Sequence, residues 1–140
     1  MKNTMKKLLA LLLALVLTLA LAACGQKEVA QPVADGAVVG QGAVAFTVEV
    51  QGADGKTVTF TVNTDEETVG AALLKLGVIA GDDSEYGLYV KTVNGVTADY
   101  EKDQTYWSLY IDGEYAQTGV DMTAVNDGST YKLAIETMAQ

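Results

Sequence analysis

The sequence predicts an α+β domain: a mixed β-sheet with one helix packed on one face. Three observations predict it. Apolar and polar residues alternate strictly on both sides of a Gly/Asp turn at 52–55. Behind that hairpin, one run carries its apolar residues at helical spacing. The remainder returns to alternation, punctuated by Asn-Gly and Asp-Gly pairs. Hairpin, helix, then several strands is the order of a β-grasp, with a plain α+β sandwich of other topology as the alternative.

The elements follow in order. Val44, Phe46, Val48 and Val50 alternate with Ala45, Thr47 and Glu49, and Val58, Phe60 and Val62 alternate with Thr57, Thr59 and Thr61. Successive side chains of a strand point to opposite faces, so this is a hairpin with one buried face. Thr64-Asp65-Glu66-Glu67 has the spacing of a capping box. Val69, Ala72, Leu73 and Leu76 then fall at i, i+3, i+4 and i+7, the apolar stripe of a short helix that Gly77 stops. Asp65, Glu66 and Glu67 fall at its positive end, which accounts for them without a metal. Asp82-Asp83-Ser84-Glu85 reads as a loop, and it lacks the ligand spacing and central Gly of a calcium loop.

Strands follow over Tyr86–Val93, ending at Asn94-Gly95, and over Tyr106–Ile111, ending at Asp112-Gly113 with a short return at Glu114–Gln117. A last strand carries Tyr131, Leu133 and Ile135 after Asp127-Gly128. A β-grasp pairs its first and last strands in parallel, which predicts Phe46 and Val48 beside Leu133 and Ile135.

Ahead of the domain, Lys2, Lys6 and Lys7 precede an apolar run from Leu8 to Ala22, and Leu21-Ala22-Ala23-Cys24 follows the pattern of a lipobox. The run, about 15 residues, falls short of the roughly 20 that span a bilayer. Cys24 is the only cysteine. Its thiol is the nucleophile that bacterial lipoprotein processing joins to diacylglycerol. A lipid of more than one chain, palmitate among them, anchors stably. The expected plan is a signal peptide over 1–23, a lipid-anchored flexible linker over 24–42 and a domain over 43–138, held on the extracytoplasmic face of a bacterial cell membrane. The linker expectation rests on small residues, the sole proline Pro32 and the lack of aromatics.

Charge narrows the function. All nine basic residues are Lys, three of them before Cys24, and all eighteen acids come after it. Six Lys against eighteen acids leave residues 24–140 at −12, which disfavours nucleic acid and anionic lipid as partners. With no His and only the anchor cysteine, His triads, Cys nucleophiles, disulfides and His/Cys metal sites fall away. Asp112, Glu114 and Asp121 remain as an acid–base set, but acids two residues apart at a turn are ordinarily solvated. The expectation is therefore a binding protein and not an enzyme, with no catalytic residue, metal or cofactor.

The aromatic residues point to where it binds. All seven Tyr and the single Trp lie after residue 85. Tyr106, Ser108 and Tyr110 share one face of their strand, and Trp107 takes the other with Leu109 and Ile111. Tyr115 lies across the Asp112-Gly113 turn from Tyr110. The candidate ligand-binding set is Tyr106, Trp107, Ser108, Tyr110 and Tyr115, a platform of rings and hydroxyls for a planar ligand or sugar. The alternative is that Trp107 fills the core while the tyrosines cover sheet edges.

Thr68-Val69-Gly70-Ala71-Ala72-Leu73, Tyr86-Gly87-Leu88-Tyr89-Val90, Val93-Asn94-Gly95, the run Tyr106–Ala116, Gly119-Val120-Asp121 and Asp127–Tyr131 together carry a family resemblance. Over roughly Val44 to Glu136 the chain resembles a bacterial surface domain of unknown function similar to the C-terminal domain of transcobalamin and intrinsic factor. The resemblance implies a β-grasp-like fold. It also implies a ligand contact from one side, since in the animal proteins this domain meets cobalamin while a helical barrel closes over the other side. The chain departs from them in lacking that barrel and any His to coordinate cobalt. Taken with the lipobox, the resemblance leads to the expectation of a cell-surface lipoprotein presenting a corrinoid or other small molecule to an importer, the corrinoid being ligand and not catalytic cofactor. A protein- or glycan-interaction module of the cell envelope is the alternative.

Overall fold

The computed structural model describes residues 32–139. The expected signal peptide and the anchor Cys24 lie outside the described residues. The strands are β1 (Val38–Gly40), β2 (Val44–Gln51), β3 (Thr57–Thr64), β4 (Ile79–Ser84), β5 (Gly87–Val93), β6 (Val96–Thr97), β7 (Thr105–Ile111), β8 (Glu114–Tyr115) and β9 (Thr130–Thr137). Two short helices, α1 (Val69–Lys75) and α2 (Tyr100–Asp103), and a 3₁₀ turn at Val120–Met122 complete the described chain. The α+β class holds.

Six strands form a mixed sheet in the order β1-β3-β2-β9-β7-β8, and β4-β5-β6 form a second, antiparallel sheet that the sequence did not announce. At the centre of the larger sheet β2 runs parallel to β9, as expected of first and last long strands. The register is displaced from the expected one: Val48 lies opposite Tyr131 and Val50 opposite Leu133, while Ile135 pairs with Trp107 of β7. Phe46, Val48, Val50, Phe60, Val62, Tyr131 and Leu133 are all buried on one face. Val69, Ala72 and Leu73 of α1, with Val78, Ile79 and Val93, cover them and complete the core. Burying each large side chain is worth roughly 1.5–3 kcal/mol, so this shared face drives the packing of the two layers.

The helix starts later than the capping box suggested. Thr68, not Thr64, is the N-cap, and its side chain accepts the Ala71 N–H at 3.2 Å. Thr64 ends β3 and accepts the Glu66 N–H instead. The three acids therefore precede the helix, with none in its first turn. Asp65 accepts the Ala43 N–H at 2.8 Å, and Glu66 pairs with Lys75 at 3.0 Å. Asp82, Asp83 and Ser84, expected in a loop, belong to β4, where side-chain exposure replaces the alternation that marks a strand in sequence.

Part of the expected linker belongs to the domain. β1 adds to the sheet edge parallel to β3, and Val33, Ala37 and Val39 pack against the core. Composition could not show this, because the segment's apolar residues are small and irregularly spaced. Asn94 fastens its start by accepting the Val33 N–H at 2.6 Å and donating to the Val33 carbonyl at 3.0 Å. Asn94 and Gly95 both have positive φ (48° and 81°), as do Asp112 and Gly113 (49° and 88°), the geometry of tight hairpin turns.

Tyr131 is fully buried, yet its hydroxyl donates to the Ala124 carbonyl and accepts the Asn126 N–H, both at 2.9 Å. Tyr131→Phe leaves both backbone groups without that partner. It is expected to destabilise the domain by about 1–3 kcal/mol, read as a lowered urea midpoint with unchanged m-value. Thr68→Ala, which removes the helix cap, is expected to cost about 1 kcal/mol in the same assay.

Candidate functional site

The two faces of β7 build two separate places. The strand pairs antiparallel with β9, setting Tyr106 opposite Glu136, Ser108 opposite Ala134 and Tyr110 opposite Lys132. On this outer face of the sheet Ala134 has no side chain beyond Cβ. The Glu136 carboxylate lies back across that gap. It accepts from the hydroxyls of Ser108 (2.8 Å), Tyr106 (3.4 Å) and Tyr110. Tyr110 meets Tyr115 of β8 edge to face, with ring centres 5.6 Å apart, and the Lys132 ammonium sits 5.8 Å from the Tyr110 ring centre.

This hydrogen bonding shifts both partners. The Tyr110 hydroxyl, then those of Ser108 and Tyr106, hold the Glu136 carboxyl below its ordinary range, with Lys132 adding to the effect and partial burial opposing it. The same bond to Glu136 pushes the Tyr110 phenol above its ordinary range.

Trp107 is not part of this cluster. It faces the core side, half-buried, and its indole N–H donates to the Lys91 carbonyl at 3.0 Å. Here the sheet edge opens. After β8 the chain makes one more bond to β7, Ala116 N–H to Leu109 carbonyl at 2.9 Å, and then diverges. A half-open cavity of about 250 Å³ results, walled by Trp107, floored by Leu88, Val90, Leu109 and Val120, and rimmed by Gln117–Gly119. Asp121 ties the rim to β5 by accepting the Leu88 N–H at 3.1 Å. A Cβ on Gly87 would fall 2.5 Å from that carboxylate, so glycine is required there for the tie to form.

The structure thus gathers Tyr106, Ser108, Tyr110 and Tyr115 beside one another and turns the Trp107 side chain to the other face, where Ser108 and Tyr115 also border its groove. Glu136 and Lys132 escaped the sequence reading. Their signal was the alternation of Lys132, Ala134 and Glu136 with Tyr131, Leu133 and Ile135, but only the β7–β9 register shows which acid meets the hydroxyls. Among the described residues, no three His, Cys, Asp or Glu side chains gather as a metal site.

The family described as a domain of unknown function, DUF4430, matches residues 66–134. Among solved structures the chain is similar to a protein from Ruminococcus gnavus ATCC 29149 described as a "putative metal binding protein". The two share 31% identity with a TM-score of 0.66, over 69% of this chain and 100% of that one. It is also similar in fold to haptocorrin, solved in complex with Cbi, at 18% identity and a TM-score of 0.54. That alignment covers 69% of this chain, which spans 25% of the haptocorrin chain. No curated protein matches the sequence.

The Glu136 cluster makes a pH prediction with a definite sign. Because the folded carboxyl titrates below the unfolded one, its contribution to stability is present above the unfolded pKa and is lost as pH falls through the folded value. Carboxyl ¹³C NMR is expected to place the Glu136 midpoint below that of ordinary glutamates, and Tyr110→Phe is expected to raise it.

Proposed function

We propose that the chain, whose residues 66–134 match the DUF4430 family, is a lipid-anchored, extracytoplasmic ligand-binding protein that presents a corrinoid or another small organic molecule to an importer. The observation that carries this reading is the groove beside Trp107. An apolar floor, one aromatic wall and a polar backbone rim are the usual composition of a small-molecule site. At about 250 Å³ the groove is smaller than a pocket that swallows a drug-sized ligand, and it is open on one side. It suits the edge of a larger planar molecule whose other side is met by a partner. The fold likeness to haptocorrin, solved with Cbi, supports a corrinoid as that molecule. We read the parallel β2–β9 pair with α1 across it as a β-grasp-like arrangement in the same sense.

The role is binding without chemistry. Asp112 is engaged by the Thr130 N–H (2.8 Å) and the Ser129 hydroxyl (3.1 Å), and Asp121 accepts the Leu88 N–H through Oδ2 while its Oδ1 is buried without a partner, so we read both as structural acceptors. Metal binding is named for the Ruminococcus gnavus protein, and the proposal does not carry it over to this chain. Anchoring at Cys24, with signal removal over 1–23, places the domain at the membrane surface.

Two measurements test the reading. Cobinamide and cobalamin are expected to quench Trp107 emission saturably, after correction for their own absorbance, and Ala116→Leu, which fills the groove, is expected to weaken binding at least tenfold. No saturable response to either compound overturns the corrinoid reading. In cells fed labelled palmitate, the chain is expected to carry the label and sediment with membranes, and Cys24→Ser to lose both. A labelled Cys24→Ser variant would refute the anchor.

A further inference from the structure

The outer face of the six-stranded sheet holds the Glu136 cluster, on the side of β7 away from the Trp107 groove. We propose that this face is a second binding site, for a neutral, hydroxyl-rich glycan.

Hydrogen-bond valence carries the argument. A hydroxyl has one donor and two acceptor lone pairs. Tyr106, Ser108 and Tyr110 all direct their donors at Glu136, so each hydroxyl is fixed in orientation before any ligand arrives. What the Tyr106 and Tyr110 hydroxyls offer outward is acceptor capacity, while Ser108 is buried and serves to orient Glu136. The complementary ligand therefore brings donors, and sugar hydroxyls are donors that also accept in turn. The same face supplies partners for that second role. Register sets Thr61, Thr47 and Thr130 side by side across β3, β2 and β9, and beside them Thr59, Glu49, Lys132, Tyr110 and Tyr115 run across five strands. Those side chains from Thr47 to Tyr110 stay half-exposed. Tyr115, 57% exposed at the end of the second row, presents a ring to the C–H face of a sugar.

Charge excludes the competitors. Glu49 and Glu136 flank Lys132, so the face is locally mixed in sign, in a region of the chain that is strongly acidic overall. An anionic ligand meets repulsion there. A cationic ligand finds the Glu136 carboxylate already bonded to three hydroxyls and the Tyr110 ring already facing the Lys132 ammonium. A neutral polyol suffers neither penalty.

The test uses the full chain in a zwitterionic, sugar-free detergent and saturation-transfer NMR. Maltohexaose, cellohexaose and chitohexaose are the neutral probes, and trigalacturonate is the acidic one. At least one neutral hexaose is expected to receive saturation and to shift the Tyr110 and Tyr115 ring signals, leaving the Trp107 indole signal in place. Tyr110→Phe is expected to weaken binding about fivefold, the worth of one hydrogen bond. Tyr115→Ala, at an exposed position that leaves the core intact, is expected to weaken it about threefold to tenfold. The proposal is overturned if no neutral hexaose binds at millimolar concentration, if trigalacturonate binds best, or if both variants bind like the parent chain. Tyr110 does not line the Trp107 groove, so the Tyr110 signal and variant separate this site from that one, and their failure leaves the Trp107 titration to stand or fall separately.

Discussion

The parallel pairing of β2 with β9 is the constraint on which the rest of the domain depends. It joins a strand near the start of the described chain to the last one, at the centre of the sheet, and it brings together the side chains that form the core. Tyr131 concentrates that role in one residue. Its ring meets Phe46 edge to face, with centres 5.2 Å apart, and its hydroxyl holds the chain at Ala124 and Asn126. Once β9 is seated against β2, its other edge is where β7 must pair, and β7 carries every residue of the candidate site except those it borrows from neighbours.

β7 is then a strand with two chemistries, because a pleated strand sends alternate side chains to opposite sides. Its inner face joins Trp107 and Leu109 to an apolar groove at the sheet edge. Its outer face sets Tyr106, Ser108 and Tyr110 around a carboxylate from β9. The two are one residue apart in sequence and separated by the thickness of the sheet, which is why a single run of aromatic residues need not be a single binding surface. The small side chain of Ala134 matters as much as the polar ones, since it leaves the gap that Glu136 occupies between strands.

The fold was legible where a local rule had only one structural outcome. Alternation around Gly52–Gly55 gave the first hairpin, the Asn-Gly and Asp-Gly pairs gave the turns at Asn94-Gly95 and Asp112-Gly113, whose positive φ bears them out, and spacing gave α1. It was illegible where local signals competed. Thr64 and Thr68 both precede a helical stripe, and β3 claimed Thr64 through its buried side chain, leaving Thr68 as the cap. Asp82 and Asp83 look like loop residues because β4 past Ile79 has no buried face to mark it. Val38 and Val39 look like linker because β1 is a three-residue edge held mainly by backbone pairing to β3.

By itself the sequence determined the α+β class, the faces of the long strands, the turns and the division of β7 into a tyrosine face and a tryptophan face, since each follows from periods of two or 3.6 residues within one segment. It also set the charge, and with it the absence of His and of any cysteine beyond Cys24. The tertiary structure alone decided the register of β9 against β2 and β7, the docking of β1, the groove beyond Ala116 and the capture of Glu136 by three hydroxyls. These are contacts between residues far apart in the chain, such as Tyr106 with Glu136 and Val48 with Tyr131. No local rule specifies them, because a shift of two residues keeps every side chain on its proper face while changing all of its neighbours.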